Sequence, residues 1–122
     1  MSAQLQLKIK PQEAKVLATA FLNAGKELGL SQAVLSEIID RDRSSISRGG
    51  INPKTKSGEL ALMLIRIYQS LFVLMGGDSA QMKHWMRTPN LHTGGVPTDQ
   101  VRSSIQDLVK IVGYLDAMRG KV

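Results

Sequence analysis

The chain has 122 residues, enough for one compact domain or two small lobes sharing a helix. With 43% hydrophobic and 21% charged residues it has the composition of an ordinary soluble globular protein, and with only 4% aromatics its core must come from Leu, Ile, Val, Ala and Met. The absence of cysteine excludes disulfides and thiolate metal sites, while a net charge of +6 favours phosphate-bearing partners without requiring them.

The first stretch, "MSAQLQLKIKPQEAK", has no continuous apolar core and is not expected to be a signal peptide. Within it, Leu5, Leu7 and Ile9 alternate with polar residues over positions 5–9, the one strand-like pattern in the chain. Pro11 suits the first position of a helix that continues through Val16, Leu17, Ala20, Phe21, Ala24 and Leu28 and stops at Gly29. Ser31 can cap a second helix carrying Gln32, Val34, Leu35, Ile38 and Ile39. Asp40-Arg41-Asp42 makes the turn, with the arginine expected to neutralise its flanking carboxylates in part. Ser44 can cap a third, short helix ending at Gly49-Gly50.

After the polar connector "INPKTKSG" comes a long apolar helix from about Glu59 to Met75. Leu60, Met63, Leu64, Ile67, Leu71 and Leu74 mark one buried stripe on it. Leu62, Ile65, Phe72 and Val73 fall off that stripe, so the helix is expected to lie centrally or to form a subunit interface. Its apolar run is interrupted by Arg66 and Gln69 and reads as too short to cross a membrane; a cytoplasmic protein without a membrane partner is expected. Asp78 or Ser79 can cap the next helix, "AQMKHWM", which leads into the loop "RTPNLHTGGVP". A last helical tract runs from Pro97 to about Met118, with a break near Ser104 where "SIQD" has a capping-box outline. The expected fold class is all-α: residues 1–75 as a helix-turn-helix and dimerisation unit, joined by the long helix to a small helical lobe over residues 76–122.

In a helix-turn-helix the first helix crosses the DNA backbone, and the second lies in the major groove with its amino-terminal residues on the bases. In "LSQAVLSEIIDRDRSSISR", Ala33, Leu35, Ile38, Ile39 and Ile46 can supply the shared core. Arg43, Ser44, Ser45, Ser47 and Arg48 are then left outward, with donors for guanine edges and phosphates. Gln32 is placed to hold a phosphate. The alternative reading is a helical hairpin with a solvated polar face. The spacing, however, resembles the helix-turn-helix line of the Xre-type repressors along nearly its whole length. It departs from that line at Asp40, where the family usually has glycine and where Asp tolerates positive φ. It departs again at Gly49, where the family usually has a large aromatic residue.

Trp85, Pro89, Asn90, Gly94, Gly95 and Pro97 set out the second informative stretch, "WMRTPNLHTGGVPTDQV". Individually these residues describe an architectural corner with the tryptophan buried against it. Together they resemble the carboxy-terminal domain of the Xre/MbcA/ParS antitoxin family, and the two motifs stand in that family's order over about residues 30–122. The resemblance implies an antitoxin whose second lobe binds a RES-domain toxin, an enzyme that consumes NAD or transfers ADP-ribose from it. The family's inhibitory contact is made by the carboxy-terminal end, which covers the toxin's NAD pocket; on this sequence that implicates Arg119, Gly120, Lys121 and Val122. Where the family has an acidic-Gly step in the last tract, this chain has Gln106-Asp107, which leaves the path of the final helices open.

Nothing in the sequence reads as catalytic. The only histidines, His84 and His92, match no metal spacing and read as surface or packing residues. Ser31, Ser44 and Ser104 read as caps rather than nucleophiles, and none of the three Gly-Gly pairs is followed by the Lys-Ser/Thr of a phosphate loop. The expected protein is a non-enzymatic antitoxin without cofactor or metal, a homodimer on operator DNA that represses its own operon and neutralises a cognate RES-domain toxin. A stand-alone repressor, or an immunity or interaction protein whose helix-turn-helix no longer binds DNA, are the alternatives.

Overall fold

A computed structural model describes the backbone of residues 2–120 and the side chains of residues 11–120. Among these residues seven helices follow one another: α1 (Ser2–Glu27), α2 (Gln32–Ile39), α3 (Arg43–Gly49), α4 (Lys56–Leu74), α5 (Ser79–Arg87), α6 (Pro97–Ser103) and α7 (Ile105–Gly120). Among the described residues there is no strand, only an isolated bridge between Asn90 and Gly95. The fold is all-α.

The first helix differs from expectation at its start. Residues 5–9 are helical, and Pro11 lies inside α1 rather than at its first turn. Leu5 and Ile9 are four apart, so a five-residue alternation satisfies a helical repeat as well as an extended one. Pro11 removes a single i→i−4 bond, which the helix survives. Two later starts also fall earlier than expected. The third helix is capped by Asp42, whose carboxylate accepts from Ser45 N–H at 2.6 Å, so Ser44 sits within the first turn. The long helix is capped by Thr55, whose hydroxyl accepts from Gly58 N–H at 3.1 Å, and it therefore begins at Lys56. Asp78 caps α5. Ser104 is extended (φ −159°, ψ 159°) and caps α7 through Asp107 N–H at 3.1 Å, producing the expected break.

The long helix α4 is the centre of the molecule: α1 and α7 pack along it most extensively, with α2 and α5 at its ends. It buries Gly58, Leu60, Ala61, Leu64, Ile67, Ser70 and Leu71. At 19 residues it is long and apolar enough to cross a membrane, so the expectation that it is too short fails on length. Its inner face is nevertheless filled by the fold, and Arg66 on its outer side holds Asp116 of α7 at 2.9 Å. One hydrophobic core runs from Phe21, Leu35 and Ile39 through Leu64 and Ile67 to Met82, Val101 and Leu115. On α1 the buried face includes Ala14 and Ala18, while Val16, expected inside, is 68% exposed. Ala33 of α2, also expected inside, is exposed.

Candidate functional site

The turn between α2 and α3 is made by Asp40 at φ 55°, ψ 46°, the only non-glycine residue with positive φ among the described residues. A left-handed residue here closes α2, because its N–H returns to the Ser36 carbonyl. Ser31 caps the other end, its hydroxyl accepting from Val34 N–H at 3.2 Å. With both ends fixed, Val34, Leu35, Ile38 and Ile39 turn inward and meet Ile46 of α3 in the core.

Arg41 does not pair with the flanking aspartates. Its guanidinium donates to the Ser45 hydroxyl at 2.7 Å, to the Ser45 carbonyl at 2.9 Å and to the Gly50 carbonyl. One fork of donors thereby ties the first turn of α3 to the carbonyl of its C-cap, Gly50. Ser45 is thus half-buried and engaged within the fold, whereas Arg43, Ser44, Ser47 and Arg48 are exposed along α3 and Gln32 is exposed at the start of α2. Five of the six expected DNA-contacting residues therefore stand on the surface, and the sixth serves the helix itself.

The Pro-Gly loop is a closed unit. Asn90 exchanges backbone hydrogen bonds with Gly95, and its side-chain oxygen accepts from His92 N–H at 2.8 Å and Thr93 N–H at 3.3 Å. Gly94 sits at φ 86°, a value that favours glycine. Thr93 is wholly buried; the Gln100 side chain donates to its carbonyl at 2.6 Å and locks the loop onto α6. Pro97 is buried at the first position of α6, and Pro89 is exposed. Trp85 is half-buried, not buried as expected; with Met75, His84, Pro89 and Asn90 it lines an apolar groove of about 390 Å³. Leu91, at the loop tip, is fully exposed. His92 stacks on Tyr114 of α7 at 5.7 Å between ring centroids.

Of the four expected toxin-contacting residues, Arg119 and Gly120 form the exposed last turn of α7, while Lys121 and Val122 lie outside the described residues. Arg119 reaches the buried Ser70 hydroxyl at 3.4 Å, fixing the end of α7 to α4. Gln106 is exposed and Asp107 accepts from the Ser103 hydroxyl at 2.8 Å, so the residues in place of the acidic-Gly step form the first turn of an uninterrupted helix.

Two further contacts between the halves of the chain have no signal in the sequence. Arg102 of α6 grips Glu37 of α2 through both carboxylate oxygens, at 2.7 and 2.9 Å. This hydrogen-bonded pair holds the Glu37 carboxyl below its ordinary pKa. Ser79 of α5 donates to Glu27 of α1 at 3.1 Å.

No curated protein matches the chain. Two family models do: an antitoxin Xre-like helix-turn-helix domain over residues 8–66 and an antitoxin Xre/MbcA/ParS C-terminal toxin-binding domain over residues 70–121. Matched to the one along its first half and to the other along its second, in that order, the chain belongs to the Xre/MbcA/ParS antitoxins and carries both a helix-turn-helix and a toxin-binding domain.

Proposed function

We propose that this antitoxin neutralises a RES-domain toxin, one that consumes NAD or transfers ADP-ribose from it, by covering the toxin's NAD pocket with residues 119–122. In the same reading it represses its own operon, acting in the cytoplasm as a homodimer on operator DNA, without a cofactor or catalysis of its own. Residues 1–75 serve DNA binding and dimerisation, and residues 76–122 bind the toxin. The observation that carries the proposal is the pairing, in one chain, of an exposed polar α3 with an α7 whose last turn is exposed. Arg43, Ser44, Ser47 and Arg48 offer groove-reading donors, and Gln32 a phosphate contact. Dimerisation is supported by exposed apolar residues on α4 and α1: Leu62 lines one groove with Val16 of α1, and Phe72 and Val73 line a second with Tyr68. Two-fold pairing of helix-turn-helix units matches paired half-sites.

The test is co-expression with the neighbouring gene, purification by a tag on the neighbour, and measurement of NAD loss with and without residues 119–122. Co-purification, with NAD loss only after truncation, is the expected outcome. Co-purification with full inhibition by the truncated chain would remove the tail from the inhibitory contact. A partner that co-purifies but leaves NAD intact under both conditions would rule out the RES reading.

A further inference from the structure

Lys83 and Arg87 are four residues apart on α5, in the toxin-binding domain, and share one face of that helix. That face lies on the corner between α1 and α2. The Arg87 Nη2 and the Lys83 Cγ each stand 3.1 Å from where a β-carbon on Gly29 would be. Gly29 is exposed, sits at φ 78°, and is followed directly by Leu30, the capping Ser31 and Gln32. Among the described residues neither cation is in an ion pair. The charged groups nearest in the chain at this corner are Lys26, exposed in the last turn of α1, and Glu27, half-buried and bonded to Ser79.

In a helix-turn-helix the first helix of the motif approaches the phosphodiester backbone with its leading end, which is where Gln32 stands. Two cations from another part of the chain, seated on the residue three places before Gln32, extend that edge. Surface cations are usually only solvated, but the Arg87 guanidinium and the Lys83 methylenes occupy space that any side chain at position 29 would contest. We infer that Lys83 and Arg87 each hold a DNA backbone phosphate beside Gln32, so that the toxin-binding domain supplies part of the DNA interface. This inference rests on the DNA-binding reading above. The pair supplies charge and position, not sequence preference, because phosphates carry no base information.

The experiment measures binding of the full chain against salt concentration, on the duplex upstream of its own gene and on a scrambled duplex of equal length. Wild type, the double variant Lys83→Gln/Arg87→Gln, the charge-retaining Lys83→Arg/Arg87→Lys and the control Arg48→Ala are compared. Each lost phosphate contact flattens the slope of log Kobs against log salt by about 0.9. The double variant is therefore expected to lose about 1.8 in slope per bound protomer, roughly 30-fold in affinity at 0.15 M salt, equally on both duplexes. The charge-retaining variant keeps the wild-type slope, which a merely structural role would not require.

An unchanged slope in the double variant, with a weakened Arg48→Ala control, overturns the inference and leaves the DNA reading standing. Loss of toxin capture with an unchanged slope overturns it too, and moves the pair to the protein interface. Wild-type protein without salt-sensitive binding to either duplex overturns both.

Discussion

Gly50 follows the recognition helix, and replacing it tests how α3 is tied to the rest of the fold. It occupies φ 69°, ψ −158°, a region that side chains essentially do not adopt, at a cost of about 1–3 kcal/mol. A β-carbon there would stand 2.5 Å from the Ala14 carbonyl oxygen and 2.6 Å from its carbon, both backbone atoms of α1. That same oxygen accepts the Ile51 N–H at 2.9 Å, and Ile51 is wholly buried. Relieving the clash separates the two backbones and strands a buried donor, adding about 1–3 kcal/mol. Gly50→Ala should therefore cost about 2–6 kcal/mol in all, a large part of a domain's ~5–15 kcal/mol. In urea denaturation followed by far-UV circular dichroism the midpoint should fall by on the order of 2 M. Gly76→Ala is the internal control: its φ is 62° but nothing lies within 4 Å of its β-carbon, so only the left-handed cost of about 1–2 kcal/mol applies. Equal midpoint shifts for the two variants would refute the contribution assigned to the Ala14 contact.

Arg48→Ala should weaken operator binding by ~1–3 kcal/mol if the guanidinium meets a base edge, and titration at fixed salt checks it. Unchanged affinity would remove Arg48 from the contacting set. The folded-state pKa of Glu37 is depressed, chiefly by its hydrogen bond from Arg102. Its contribution is therefore present above the ordinary glutamate value of 4.5 and is lost as pH falls through the lower folded value. Wild type and Glu37→Gln should differ in melting temperature at neutral pH and converge in acid; a gap that persists in acid would point to packing rather than ionisation. Asn90→Ala deletes the acceptor for two loop N–H groups and should cost about 1–2 kcal/mol, read as a lowered melting temperature.

What could be read from the sequence was what is decided locally. Ser31 and Asp40 bound α2 by short-range bonds, and Asp78 and Ser104 do the same for α5 and α7, so these ends were legible. The start of α3 was not, because Asp42 and Ser44 are both good caps. Asp42 is the one that lets Arg41 reach both Ser45 and the Gly50 carbonyl nine residues away. Gly58 read as part of a connector, yet it belongs to the first turn of α4, where a β-carbon would collide with the Asn52 carbonyl oxygen. The exposure of Val16 and Ala33 was hidden because a helical repeat gives spacing but not which edge of the stripe a neighbour covers. The family motifs were legible as runs of residue types, whereas the seating of Lys83 and Arg87 on Gly29 joins positions more than fifty apart and leaves no pattern in either segment.

The two matched domains meet within α4, and the magnitudes decide what couples them. Arg102–Glu37 is the most conspicuous bridge from the toxin-binding side to α2, but both side chains are substantially exposed. Solvent screens so exposed a pair, and it transmits little between domains. Ile67, by contrast, is wholly buried in the core that continues from Leu35 and Ile39 to Val101 and Leu115. Truncating such a side chain costs about 2–5 kcal/mol, and the cavity borders packing from both domains at once. Arg102→Ala should therefore leave DNA affinity and toxin capture close to wild type, while Ile67→Ala should disturb both together. The two affinities, measured on the same preparations, discriminate the routes. If Arg102→Ala altered one function through the other and Ile67→Ala altered neither, communication would run along the surface pair and not through α4.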